Sequence, residues 1–186
     1  FAFRAGKTWF EVPHTMKVIV KGQLQPSCTA KDLTLAVLRV LGASGALGQA
    51  VEFYGPAIDA LDLTGRITLA SMMTEMGGII GLIPPSDEVL DFCRQRTGRA
   101  QIGAVYADPD AVYTHEIEVD IAALEPLISC PPKPDNVKPV REVAGTRVDS
   151  VFIGSCTNGR HNDFAAVADI LRGKRIAGGM VASAVP

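Results

Sequence analysis

No uninterrupted apolar run in this sequence approaches the ~20 residues that a helix needs to cross a bilayer. The opening Phe1-Ala2-Phe3-Arg4-Ala5-Gly6 also lacks the plan of a signal peptide, so the expectation is a soluble, cytoplasmic protein with no membrane partner. Excess charge of either sign is missing: 18 Lys and Arg stand against 20 Asp and Glu, and a net charge of −2 gives no electrostatic footprint for nucleic acid. No two of the four cysteines (Cys28, Cys93, Cys130, Cys156) have Cys-x-x-Cys spacing, which argues against a self-contained four-cysteine metal site. With 47% hydrophobic residues the chain can build a core without a disulfide framework. The late pair Gly178-Gly179 lacks a Gly-x-Gly-x-x-Gly context and Gly103 to Tyr106 lacks phosphate-loop spacing, so nucleotide binding has no support. Internal repeats and low-complexity tracts are absent.

What is present has the rhythm of an α/β protein. At 186 residues the length suits one large domain or two small ones. After an extended lead-in, Lys17 to Lys21 is a short β-rich run flanked by lysines, which predicts a strand near a sheet edge. Thr29 is placed to cap a helix over Ala30 to Leu41, where Leu33, Val37 and Val40 or Leu41 recur at helical spacing before Gly42. Ala50 to Tyr54 predicts a strand closed by Gly55-Pro56. A second helical segment opens at Thr64 and ends at Gly77-Gly78, and Ile79 to Ile83 predicts a buried strand. Ser86 caps the next helix, with Asp87 and Glu88 in its first turn and Arg94, Arg96 and Gly98 at its end. From His115 to Ile121 apolar and acidic residues alternate strictly, the pattern of a half-exposed strand at an edge or in a mixed region. Pro131-Pro132-Lys133-Pro134 and Pro139 make a stiff polar connector. The expected organisation is one α/β domain over 1–128, the connector over 129–144, and the start of a second α/β domain over 145–186.

That last segment carries the most pointed chemistry. Val148 to Ile153 predicts a strand, Gly154-Ser155-Cys156-Thr157-Asn158-Gly159-Arg160 a small-residue turn, and Asn162 to Leu171 a helix. A thiolate just ahead of a helix start is electrostatically favoured, and the glycines let backbone amides approach it. A buried structural thiol is the plainer reading of a free cysteine, but the neighbours of Cys156 are small and polar rather than apolar. Glu75 lies among Met72, Met73 and Met76 in the last turn of its helix, where the dipole opposes a carboxylate by roughly 0.3–1 kcal/mol. Partial burial would suit a functional acid, and Ser71, four residues earlier, shares its face. On the residues alone Glu75 is either a functional or a structural carboxylate. Arg160 either contacts a carboxylate or packs the turn. His14 and His115 read as surface or hydrogen-bonding histidines, and His161 receives no role.

Gly154 to Arg160 resembles the cluster-ligand signature of the aconitase family, in the form found in large subunits of 3-isopropylmalate dehydratase and homoaconitase. Further stretches are similar in the same order, among them Thr8-Trp9-Phe10-Glu11-Val12-Pro13, Glu52-Phe53-Tyr54-Gly55-Pro56, Arg66-Ile67-Thr68 and Ala107-Asp108-Pro109-Asp110-Ala111-Val112-Tyr113. The resemblance covers nearly the whole chain and implies a layered α/β/α aconitase-type domain. It also implies that Cys156 is one of three thiolate ligands of a 4Fe–4S cluster, the other two falling outside this chain. Glu75 becomes the carboxylate that moves a proton at the departing hydroxyl. Ser71 stands where the family has asparagine. The implied enzyme is a hydro-lyase that isomerises a hydroxy acid by dehydration and rehydration, with isopropylmalate in leucine synthesis as substrate and homoaconitate or methylmalate-type acids as alternatives. A small subunit, the swivelling domain, is the implied partner. By this reading the fragment alone holds no intact cluster and is inactive. Two other classes stay open on the residues: a hydrolase with Cys156 as nucleophile, which needs a histidine beside it, and a non-enzymatic interaction domain.

Overall fold

The computed structural model describes all 186 residues. A short helix α1 (Ala2–Ala5) opens the chain, and the residues before β1 (Thr15–Lys21) otherwise lack regular structure. Helix α2 (Ala30–Leu41) follows, then β2 (Ala50–Tyr54), the short α3 (Pro56–Asp59) and α4 (Leu63–Ser71). The chain continues from α4 into a 3-10 turn, Met72–Met76, and on to β3 (Ile80–Leu82), α5 (Asp87–Thr97) and β4 (Glu116–Asp120). The antiparallel pair β5 (Leu127–Ser129) and β6 (Val137–Pro139) comes next, then β7 (Ser150–Ile153), α6 (His161–Leu171) and β8 (Val181–Ala184).

Strands β1 to β4 form one parallel sheet in the order β3-β2-β1-β4. The lysine-flanked strand is therefore interior rather than at an edge. Its lysines are tolerated because alternation sends Met16, Val18 and Val20 into the core and Lys17, Ile19 and Lys21 to the opposite, more open face. On that face Lys21 pairs with Glu118 at 2.6 Å and Lys17 with Glu116 at 3.7 Å, both on the neighbouring β4. The exposed edge on the other side is β3, whose Ile80 and Leu82 are only partly covered, so the expected buried strand is an edge strand. Strand β4 is the half-exposed edge strand that its alternation predicts.

The covered face packs on helices. Leu33, Val37 and Leu38 of α2, Leu69 of α4, and Met72, Met73 and Met76 of the 3-10 turn join Val18, Val51 and Phe53 in one core. Asp32 fixes the start of α2: its Oδ2 accepts from the Thr29 amide at 2.7 Å and the Thr29 hydroxyl at 2.8 Å. Its other oxygen accepts from the Leu127 amide at 2.8 Å, tying β5 to the helix. The proline-rich segment is consequently folded as a hairpin, and Leu127 and Val137 complete the core. That core runs from Met16 to Val137, and no residue beyond it is buried. Strands β7 and β8 pair in their own two-stranded parallel sheet and, with α6 between them in the chain, make a β7-α6-β8 unit. No helix is long and apolar enough to cross a membrane.

Candidate functional site

In open parallel sheets the usual ligand crevice lies beyond the carboxyl ends of the strands where the strand order reverses, here between β1 and β4. That position is filled. A Cβ on Gly22 would stand 2.8 Å from the Ala122 nitrogen, and the Gln25 amide donates to the Ala122 carbonyl at 2.9 Å.

The cysteine turn is more open. Cys156 is a free, exposed thiol between β7 and α6. Helix α6 begins at His161 with Arg160 as its N-cap, so the thiol sits four residues ahead of the cap rather than in the first turn. Dipole effects fade within one turn; what distinguishes Cys156 is the construction of its loop. The Ser155 hydroxyl accepts from the amides of Thr157 (3.2 Å) and Asn158 (3.0 Å), and Arg160 Nη1 donates to the Thr157 carbonyl at 2.9 Å. Arg160 thus packs the turn through one nitrogen. At its start Gly154 has φ +114°, and a Cβ there would lie 1.9 Å from the Val185 carbonyl oxygen, so glycine is required.

Asn158 faces the first unit. Its Nδ2 donates to Thr68 Oγ1 on α4 at 3.2 Å and to Asp163 Oδ1 at 3.4 Å. Asp163 Oδ2 in turn accepts from the Arg160 amide at 3.0 Å. Between the units lies a cavity of about 480 Å³ whose lining includes Thr29, Lys31, Asp62, Thr68, Asn158 and Asp163.

Ser71 is the last residue of α4 and Glu75 lies in the 3-10 turn that follows. Met72, Met73 and Met76 turn inward, whereas Ser71 and Glu75 are both exposed, so the partial burial expected for Glu75 is not found. The change of helix type explains it: the turn anchors by its methionines and presents its carboxylate outward. Gly77, in the left-handed region at φ +79°, ends the turn.

A third cluster escapes the sequence reading. On the open sheet face the hydroxyls of Tyr54 and Tyr113 each donate to Glu52 Oε2 at 2.7 Å, and the Lys17 ammonium lies 5.4 and 5.2 Å from their ring centroids. Burial first, then the hydrogen bonds to Tyr113 and Glu52, pushes the Tyr54 phenol well above its ordinary range. The signal available was the shared face of Glu52 and Tyr54, two residues apart on a strand; Tyr113 comes from a loop sixty residues away.

Among curated proteins, 47% identity over 94% of this chain links it to the probable methanogen homoaconitase large subunit of Methanosarcina mazei, covering 44% of that relative. The 3-isopropylmalate dehydratase large subunit of Sulfurihydrogenibium sp. is 44% identical over 95% of the chain and 41% of the relative. Its counterpart from Nitratidesulfovibrio vulgaris is 43% identical over the whole chain and 44% of the relative. The model of the aconitase family (aconitate hydratase) matches residues 2–146. The chain belongs to the aconitase family. It spans less than half the length of these relatives.

For an aconitase-family chain the donor set is the test of a cluster. Iron–sulfur clusters are held by thiolates, and Cys156, exposed on a turn of small residues, fits one such ligand. No three His, Cys, Asp or Glu side chains converge in this chain. Cys28 bonds the Leu124 carbonyl at 3.5 Å, with burial pushing its thiol up, while Cys93 is on α5 and Cys130 follows β5.

Proposed function

We propose that this chain is part of the large subunit of a 4Fe–4S hydro-lyase that isomerises a hydroxy acid, with 3-isopropylmalate as substrate and leucine synthesis as its setting. Homoaconitate is the second reading, because relatives bearing both names match at similar identity. Residues 1–128 are the domain that carries Glu75, 129–144 the link, folded back as a hairpin whose Val137 joins that domain's core, and 145–186 the unit that carries Cys156. The carrying observation is the exposed thiol of Cys156 on a turn that Asn158 bonds to α4, the helix leading into Ser71 and Glu75.

The net reaction removes a hydroxyl and the proton of the adjacent carbon as water and returns water with the two positions exchanged, so no redox partner is required. Cys156 would hold the cluster with two further thiolates of the complete protein. When bound, the cluster supplies an open iron that polarises the hydroxyl as a Lewis acid. Glu75, solvent-facing and not engaged in an ion pair, is suited to exchange a proton with the departing hydroxyl or incoming water. Ser71 offers a hydroxyl on the same exposed stretch. Arg160 spends one nitrogen on Thr157 and keeps other N–H donors for a substrate carboxylate. The partner is a small subunit that completes the cavity, and the setting is the cytoplasm.

The test is anaerobic iron and sulfide reconstitution of the complete protein with its small subunit, followed by turnover of isopropylmalate, homocitrate and citramalate. A stoichiometric cluster, lost in Cys156→Ser, and preferential turnover of isopropylmalate are expected. A stoichiometric cluster in the isolated 186-residue chain, or an unaffected cluster in Cys156→Ser, would defeat the assignment.

A further inference from the structure

The turn that presents Cys156 is rigid within its own unit. Ser155 and Arg160 bond it internally, and the Val185 amide donates to the Ile153 carbonyl at 2.9 Å just before it begins. None of these bonds relates the turn to the helix that leads into Ser71 and Glu75. Between residues 147–186 and the rest of the chain there is a single hydrogen bond and no ion pair: Asn158 Nδ2 to Thr68 Oγ1, at 3.2 Å.

The chemistry of its ends fixes the direction of that bond. Asp163 only accepts, so the amide nitrogen of Asn158, not its oxygen, must face Asp163 and Thr68. Thr68 is 1% exposed and already donates its own proton to the Thr64 carbonyl at 3.1 Å, leaving an oxygen lone pair for Asn158. Asn158 Oδ1 is buried without a partner, so the side chain is not held by its oxygen. Thr68 precedes Ser71 by one helical step of three residues, about 4.5 Å along the axis, and Asn158 follows Cys156 by two.

We infer that Asn158 is a positioning residue: bonded to Thr68, it sets where the Cys156 turn stands relative to Ser71 and Glu75. The inference rests on the hydro-lyase reading for its catalytic consequence, but the fastening itself is a property of the metal-free protein. A misplacement of about 1 Å can cost on the order of 10²-fold in rate.

The complete protein with its small subunit is compared with Asn158→Ala, Thr68→Val, the double variant and the conservative Thr68→Ser. In the metal-free proteins, amide exchange read by mass spectrometry over residues 155–159 should quicken about three- to tenfold in Asn158→Ala and in Thr68→Val, as loss of one hydrogen bond implies. The double variant should add nothing further, and Thr68→Ser should match the wild type. After reconstitution, kcat should fall about ten- to hundredfold in the two single variants with KM little changed, and Thr68→Ser should recover it. Unchanged exchange in both single variants, additive effects in the double variant, or failure of Thr68→Ser to restore wild-type exchange would overturn the fastening. Altered exchange with unaltered kcat and cluster spectrum would overturn its role in positioning. If the wild type takes up no cluster, the hydro-lyase reading falls while the exchange measurements still decide the fastening.

Discussion

Gly154→Ala is the substitution on which the construction of the cysteine turn can be weighed. Two separate costs apply. The backbone stands at φ +114°, a region that L residues rarely occupy and that costs about 1–3 kcal/mol. The added methyl would also lie 1.9 Å from the Val185 carbonyl oxygen, an overlap of backbone atoms that no rotamer change relieves. The end of β8 must then retreat, and the Val185-to-Ile153 hydrogen bond of 2.9 Å goes with it, a net loss of about 0.5–1.5 kcal/mol. Together the expected destabilisation is about 2–4 kcal/mol. Gly98→Ala is the control, because Gly98 ends α5 at φ +68° with nothing within 4 Å of its Cβ position. It should show only the conformational part, about 1–2 kcal/mol. Denaturant titration by circular dichroism, with exchange at the Val185 amide to localise the effect, gives both values. If the two variants lose stability to within about 0.5 kcal/mol of one another and Val185 keeps its protection, the close approach of β8 is not what demands glycine at 154.

Asp32→Ala removes an acceptor shared by Thr29 and Leu127, and it should cost about 2–4 kcal/mol by denaturant titration, combining a lost helix cap with a stranded buried amide; a loss below about 1 kcal/mol would show that β5 docks without it. Glu75→Gln in the reconstituted complete enzyme should lower kcat by about 10²–10⁴-fold while iron content holds; undiminished turnover removes Glu75 from the proton path. Tyr54 keeps its proton in the folded state above the ordinary phenol range, so its contribution is full below the unfolded value near about pH 10 and is lost as pH rises beyond it. Melting temperature should fall more steeply above about pH 10 in the wild type than in Tyr54→Phe, and parallel curves would refute this.

Elements that carry their own local signals were legible. Ser86, Asp87, Arg94 and Gly98 mark both ends of α5, and β2 spans Ala50–Tyr54 as its composition predicts. The alternation before Ile121 assigns each residue of β4 to its face. Strand order was not legible, because Lys17 and Lys21 look the same in sequence whether a strand is at an edge or lies beside another strand with glutamates in register. The exposure of Glu75 was not legible for a related reason. Flanking methionines report that the segment is anchored, but only the switch from α-helix to 3-10 turn decides that the glutamate points away from them. The cysteine turn was found through its glycines and small polar residues. Its reach to Thr68 joins positions ninety residues apart and has no local signature.

These differences bear on how the two halves of the proposed site tolerate change. Glu75 stands on a turn whose three methionines belong to the main core, so its position is backed by many buried contacts, and a single core substitution redistributes among them. Cys156 stands on a unit with no buried residue of its own, held to α4 by one hydrogen bond within this chain. Substitutions that disturb geometry at equal cost in stability should therefore reach activity mainly through the Cys156 side. Conservative core changes near Met73 should lower stability while leaving kcat nearly untouched, whereas Thr68→Val should do the reverse. A survey in which kcat followed global stability across both groups would mean that the two halves move as one body.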